Sequence, residues 1–235
     1  MIALLAASLL SGSAAYFNGS SSGRISGAAG IIHLDANFTV EAWVKLDSAG
    51  VGRTFQPIFY QHEDNRGFEL TVVDRPNHRL MTPDLAQISH AEKPVIPVDR
   101  WVHVAYSRSL ERACLYLDGK LAIERDVHAP LPLAPSDLFI GSSQYLDQEG
   151  KPVSLIGAID EVQIWSVARS GGNIRRTRFR HPNRRNSLLA AYFPMDERYG
   201  SKQPNAKDKK MVLTLTNISW VKGPTASSPA QLMRG

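Results

Sequence analysis

Apolar side chains recur at every second position along most of this chain. In Phe38-Thr-Val-Glu-Ala-Trp-Val-Lys-Leu46, the residues Phe38, Val40, Ala42, Val44 and Leu46 alternate with Thr39, Glu41, Trp43 and Lys45. A strand sends successive side chains to opposite faces, so this period predicts a strand with one buried face. Residues 57–61, 67–73, 101–107 and 138–141 read as further strands. Arg112-Ala-Cys-Leu-Tyr-Leu-Asp-Gly-Lys-Leu-Ala-Ile-Glu-Arg125 predicts a hairpin, because Asp118-Gly119 suits a two-residue turn whose central residues both take positive φ. That turn sets Tyr116 opposite Leu121 and Cys114 opposite Ile123 on one face. Cys114 then reads as a core residue rather than a reactive thiol.

Gly, Pro, Asn and Asp fill the stretches between strands, and no long amphipathic helix appears. One short helix is expected at residues 170–179, with Ser170 as its N-cap. Strands without alternating helices predict an all-β fold, an antiparallel two-sheet β-sandwich of jelly-roll type. Asp84 to Asp99, interrupted by Pro94 and Pro97, reads as a long irregular connection that serves a site or is simply mobile. Ala14-Ala-Tyr-Phe17 returns as Ala190-Ala-Tyr-Phe193. Each copy either opens a domain or lies beside the other to close one sheet. Too little chain follows Phe193 for a second complete domain. Residues 14–187 are therefore read as the main domain, and 188–221 as a β appendage packed on it or the start of a next repeat. Residues 1–13 resemble a secretory signal in their apolar run and small residues, but no Lys or Arg precedes Arg24; they read equally as a truncated gene start, a disordered lead or the lead-in to the first strand. Residues 222–235 read as a flexible tail.

At 235 residues and 43% hydrophobic, the chain can fill the core of one large β domain or of two small ones. One cysteine excludes a disulfide framework and any Cys-rich zinc module. No stretch approaches the roughly 18 apolar residues of a membrane helix. The net charge of +5 is unevenly placed. Seven arginines and no acid lie between Arg169 and Arg185, which leaves 20 bases against 22 acids elsewhere. The basicity is a local feature.

Six motifs occur in order: Ala15-Tyr-Phe-Asn-Gly-Ser, Phe38-Thr-Val-Glu-Ala-Trp-Val, Trp101-Val-His-Val-Ala-Tyr, Leu115-Tyr-Leu-Asp-Gly-Lys, Phe139-Ile-Gly and Gly157-Ala-Ile-Asp-Glu-Val-Gln-Ile-Trp165. This series resembles the laminin-G-like jelly-roll domains of the concanavalin A-like lectin/glucanase superfamily, over about Ala14 to Phe179. The resemblance implies two antiparallel sheets with ligand loops at the rim. It also implies an extracellular adhesive or glycan-binding role and often a calcium ion. A secreted or cell-surface location is expected on the same ground.

Catalysis is not expected. Retaining glycosidases place two carboxylates roughly 5–5.5 Å apart, and jelly-roll glucanases resemble a Glu-x-Asp-x-(x)-Glu strand. Here Ala158 holds the first glutamate position, Val162 and Gln163 the last. Asp160 and Glu161 are adjacent, and a regular strand would point them to opposite faces. The same alternation sets Ile156, Ala158, Asp160, Val162 and Ile164 on one face, where an unpaired carboxylate is costly. Asp160 is thus a candidate calcium ligand, helped by backbone carbonyls near Asn18 and Gly19. It reads otherwise as an acceptor of backbone N–H bonds, or a bulge that turns it to water. Pentraxins, a related calcium-binding branch, carry a Gln-Glu-Gln-Asp-like run where this chain has Ser142-Ser143-Gln144. Their double-calcium site is not expected, although Asp147 and Glu149 could serve a rim site.

Arg175, Arg176, Arg178, Arg180, Arg184 and Arg185 form a dense cluster around His181. Arginine holds sulfate, phosphate and carboxylate bidentately, so the cluster is a candidate site for a sulfated or acidic polysaccharide or an anionic surface. Without aromatic interleaving or a recognition motif, specific nucleic-acid binding is not expected. The alternative is a solvated face, or internal pairing with Glu161, Asp196 and Glu197. For neutral sugars, Trp43 on the polar face of its strand, with Tyr60, Tyr106 and Tyr145, offers aromatic platforms, Tyr145 being the most exposed. The leading reading is a non-catalytic binding or adhesion module recognising glycan or a protein surface. The alternatives are a structural spacer in a repeat protein and a divergent glycoside hydrolase.

Overall fold

A computed structural model describes residues 12–28, 31–32, 36–63, 66–73, 79–85, 92–196 and 200–225. Most of the signal-like lead, most of the tail, Glu197 and part of the 84–99 connection lie outside the described residues. The chain first forms β1 (Ser13–Asn18), β2 (Ser22–Ile25), β3 (Phe38–Leu46), β4 (Gln56–Glu63), β5 (Arg66–Val73) and β6 (Arg79–Met81). Then follow β7 (Trp101–Arg108), β8 (Arg112–Leu117), β9 (Lys120–Asp126), β10 (Leu138–Ile140), β11 (Ser142–Leu146), β12 (Pro152–Ser154) and β13 (Ile156–Trp165). After helix α1 (Gly171–Thr177) come β14 (Leu189–Phe193), β15 (Lys202–Pro204), β16 (Val212–Thr216) and β17 (Ser219–Lys222).

Two antiparallel sheets result. The eight-stranded sheet runs β17-β1-β13-β3-β7-β8-β9, with β14 also on β13; the seven-stranded sheet runs β15-β16-β2-β10-β4-β5-β6. The interior between them is apolar. Val40, Val44 and Phe17 from one sheet meet Ile58, Leu70 and Ile140 from the other in a single cluster. Phe68 joins them edge-on to Phe38 at 5.4 Å and stacked on Tyr106 at 5.2 Å. Each such side chain contributes about 1.5–3 kcal/mol on full burial. The all-β sandwich and the single short helix are as expected, and the Ser170 hydroxyl caps that helix at Asn173 N.

The C-terminal segment is integral to the sandwich. It supplies strands to both sheets. The two Ala-Ala-Tyr-Phe copies lie end to end along one side of β13: Phe17 sits opposite Gly157, and Phe193 opposite Val162.

β3 departs from expectation because it is buried on both faces. Phe38, Val40, Ala42, Val44 and Leu46 point into the sandwich, yet Thr39, Glu41 and Trp43 are buried as well. Residues after β13 return across the outer face of the sheet and are pinned there. Thr39 Oγ1 donates to Val167 O (2.7 Å), Ser107 Oγ to Arg169 O (3.0 Å) and Trp43 Nε1 to Arg178 O (2.8 Å). The Asp118-Gly119 turn has φ of +52° and +74°, as a type I′ turn requires. Tyr116 does pair with Leu121. A bulge then moves Cys114 opposite Glu124 and gives Ile123 to Leu115. Cys114 is buried, but in a small outer cluster with Ala105, Tyr116 and Ile174 beneath α1.

Candidate functional site

The turn after β10 directs the next hairpin toward the face of the seven-stranded sheet turned away from the interior. Gly141 has φ +67°, and its N–H donates to Ile58 O at 2.9 Å. Beyond it, β11 and β12 form a two-stranded hairpin that carries Tyr145. On β4, Tyr60 and His62 are two residues apart and share a face. The Tyr60 ring lies 5.7 Å from Tyr145, 6.1 Å from Phe55 and 6.0 Å from His62, all near edge-on. Tyr60 is 1% exposed and forms the floor, while Tyr145 is 51% exposed and stands above it. Beside them opens a cavity of about 550 Å³ lined by Gly52, Arg53, Thr54, Phe55, Tyr145 and Val153. Burial pushes the Tyr60 hydroxyl well up and the His62 imidazole down. Both are neutral near pH 7. An aromatic wall with one guanidinium and one hydroxyl suits a sugar ring, which has an apolar face and polar edges.

Among the expected platforms, only Tyr60 and Tyr145 come together. Tyr106 belongs to the interior. Trp43 must be corrected: it is 4% exposed, beneath Phe179 at 5.1 Å, with its N–H spent on Arg178 O. Its place on a polar-looking face does not expose it, because the returning chain covers that face. Asp147 lines no part of the cavity, and its carboxylate accepts the amides of Glu149 and Lys151, both at 2.9 Å, inside its own turn. Phe55 lines the cavity without any sequence signal. It lies just before β4, where no period marks it.

The expected calcium ligands do not assemble. Asn18 sits opposite Ile156, four positions from Asp160 along β13, or about 13 Å at strand rise. The shared face also fails. Glu161 adopts φ +53° in a bulge between Asp160 and Gln163, so Ile159, Val162 and Ile164 face the interior while Asp160 does not. The bulge brings both acids to the outer side instead of opposite faces. Asp160 is 2% exposed, and its carboxylate accepts the Glu161 amide at 2.9 Å. Glu161 accepts from Tyr192 Oη (2.9 Å) and faces His181 Nδ1 at 3.0 Å. Ligand atoms of Glu161, His181 and Asp196 lie within 4.8 Å of one another. Two carboxylates and an imidazole are not the all-oxygen shell that calcium takes, and that imidazole nitrogen already meets Tyr192 Oη at 2.5 Å. Burial and mutual repulsion hold Asp160 well above the usual carboxylate range, and burial also raises Glu161 and Asp196. The hydrogen bond to Glu161 raises His181.

The arginines divide into two groups. Arg178 is half-buried, with its guanidinium 4.4 Å from the Phe179 ring. Arg175, Arg176, Arg180, Arg184 and Arg185 are exposed. Among the described residues no ion pair engages any of them, and Glu161 turns to His181 and Tyr192 instead. A second cavity, of about 350 Å³, opens between α1, residues 180–188 and the outer face of β13.

A laminin-G-type family model of the concanavalin A-like lectin/glucanases superfamily matches residues 14–175, and the chain belongs to that family. Among solved structures, a protein of Bacteroides ovatus provisionally named a carbohydrate binding protein superposes with a TM-score of 0.73 at 19% identity. The alignment covers 93% of this chain and 62% of that one, so the chain spans less than two thirds of that protein. Domain 4 of AbnA, an extracellular GH43 arabinanase of Geobacillus stearothermophilus solved with arabinotriose, matches at 20% identity and a TM-score of 0.50, over 69% of this chain and 75% of that one. These likenesses show the fold. No curated protein matches.

Proposed function

We propose that this chain is a non-catalytic carbohydrate-binding module of a secreted or cell-surface protein. It takes glycan at the cavity beside Tyr145, on the outer face of the seven-stranded sheet. The observation that carries this reading is an open cavity lined by Phe55 and Tyr145, two rings that both pack on Tyr60. The exposed Tyr145 ring and Phe55 offer apolar surface to the C–H face of a sugar. Thr54 and the Arg53 guanidinium lie where they can bond its hydroxyls. Tyr60 is not a contact; it fixes the Tyr145 ring from below. The cavity lining holds no carboxylate among the described residues, which supports binding without hydrolysis. The carboxylates that do cluster, Asp160, Glu161 and Asp196, lie on the other sheet. Two of them are buried, with Tyr192 and His181 over Glu161. The carbohydrate-binding name of one fold neighbour and the arabinotriose held by the other favour arabino-oligosaccharides as first probes. The test is a glycan array that includes arabino-oligosaccharides, run with and without a chelator. Retention of at least one neutral glycan, with no reducing sugar released, supports the reading. Retention of none overturns it.

A further inference from the structure

The outer face of the eight-stranded sheet carries a second, chemically different feature. Its 350 Å³ cavity is within the usual range of ligand pockets, about 300–1,000 Å³. The inner wall includes Gln163, from β13, which is only 4% exposed. Its amide makes no hydrogen bond among the described residues. The amide is reached from the cavity, so its donor and acceptor are available to a ligand there. Trp165, Pro182 and Leu188 supply apolar wall, and Arg180 and His181 supply polar groups. The Trp165 ring is covered on one side by the Arg169 guanidinium at 4.2 Å.

Exposed Arg180 lines this cavity, and exposed Arg175 and Arg176 on α1 and Arg184 and Arg185 on the 180–188 segment lie on the two elements that border it. Asp118 pairs with Arg100 at 3.3 Å and Glu161 with His181 at 3.0 Å, while Asp196 lies near enough to interact with Arg184 and answers part of that one charge. Arg184 is held over the Tyr192 ring at 5.8 Å. Like charges crowded this way repel one another and lower stability unless an anion answers them. With 20 bases against 22 acids in the rest of the chain, this field is focused rather than general.

The geometry points to a second binding site on this face, for a linear acidic polysaccharide whose sulfate or carboxylate groups meet the arginines while one sugar residue enters the cavity and bonds the Gln163 amide. The site lies on the opposite sheet from Tyr145 and does not depend on the glycan reading of that cavity. A sugar suits the cavity better than a nucleobase. The wall pairs apolar side chains with a polar edge, and Arg169 already covers one face of Trp165, the largest ring in the lining and the best platform a base could stack on.

The test uses the whole chain on heparin, on polygalacturonate and on a poly(dT) of matched charge. The two polysaccharides separate sulfate from carboxylate recognition. Binding to at least one of them at low salt is expected. An Arg175→Ala/Arg176→Ala/Arg180→Ala/Arg184→Ala variant should lose at least ten-fold in affinity and much of the salt dependence. Gln163→Met keeps every charge; it should lose several-fold in affinity for a hexasaccharide with the salt dependence unchanged. Replacing the four arginines by lysine restores the charge and should recover part of the loss, which separates charge from misfolding. Tyr145→Ala should bind the polyanion as the parent does. No binding to either polysaccharide, affinity unchanged in the arginine or Gln163 variants, or poly(dT) bound as tightly as the better polysaccharide would overturn the proposal.

Discussion

Glu41 of β3 and Arg169, just before α1, form an ion pair buried under the returning chain, with side chains 1% and 8% exposed. Glu41 Oε1 also accepts the Trp165 indole N–H at 2.7 Å, and Arg169 donates to Thr177 Oγ1 at 2.7 Å. The pair therefore ties sheet, loop and helix together. Arg169→Met should cost about 3–5 kcal/mol, because it strands a buried carboxylate. Replacing both partners by apolar residues of similar volume should recover most of that loss. Urea unfolding of the two variants checks this, and equal destabilisation of both would contradict it.

Trp43 and Tyr145 should separate stability from binding. Trp43→Ala removes a packed ring and a satisfied N–H, with an expected cost of about 3–5 kcal/mol. Glycan affinity per folded molecule should stay unchanged. Tyr145→Ala should shift stability by less than about 1 kcal/mol, as surface changes usually do, and should weaken glycan binding at least ten-fold. Thermal melts alongside calorimetric titration distinguish the two.

The acidic cluster makes stability depend on pH. The folded-state pKa of Asp160 stands above its ordinary value of 3.8. Its contribution is therefore fully present below that value and is lost as pH rises through the folded one. Glu161, Asp196 and His181 are raised too and act with the same sign. His103 acts oppositely. Burial pushes it down to about 3, so stability is lost as pH falls below 6.5. The effect is thus best read as the difference between parent and Asp160→Asn, which keeps the acceptor for the Glu161 amide. The variant should melt higher than the parent near neutral pH, with the gap closing toward the ordinary carboxylate pKa, about 4. Parallel melting curves across that range would count against this account.

Gly141 couples the core to the candidate site. It combines φ +67° with a hydrogen position where a Cβ would come within 2.6 Å of the Phe17 ring. Gly141→Ala should cost about 2–4 kcal/mol from left-handed strain and overpacking together. Its carbonyl accepts the Leu155 amide at 2.9 Å, which fixes the hairpin that carries Tyr145. Glycan binding should therefore fall as well. A variant that unfolds at the parent's urea midpoint would contradict the contact.

Much of this architecture is legible in the chain. The alternation of Phe38 to Leu46 gives the inward row of β3, and Asp118-Gly119 gives the turn. Other parts are not local properties. Thr39, Glu41 and Trp43 look like a solvent face because the chain that covers them lies more than 120 residues later. Nothing in Asp160-Glu161-Val162 announces positive φ at a glutamate, yet that bulge reverses the faces of β13 and decides where Asp160 points. Tyr145 could be singled out by its polar loop. Phe55 and the depth of Tyr60 depend on which strands become neighbours.

The glycan-binding claim is tested most directly by NMR titration of the isotopically labelled chain with the oligosaccharide retained on the array. The aromatic ring signals of Phe55 and Tyr145 should shift in proportion to occupancy, with those of Trp43 and Trp165 unmoved. Saturable shifts confined to the arginine-bearing face, with Tyr145 silent, would contradict it.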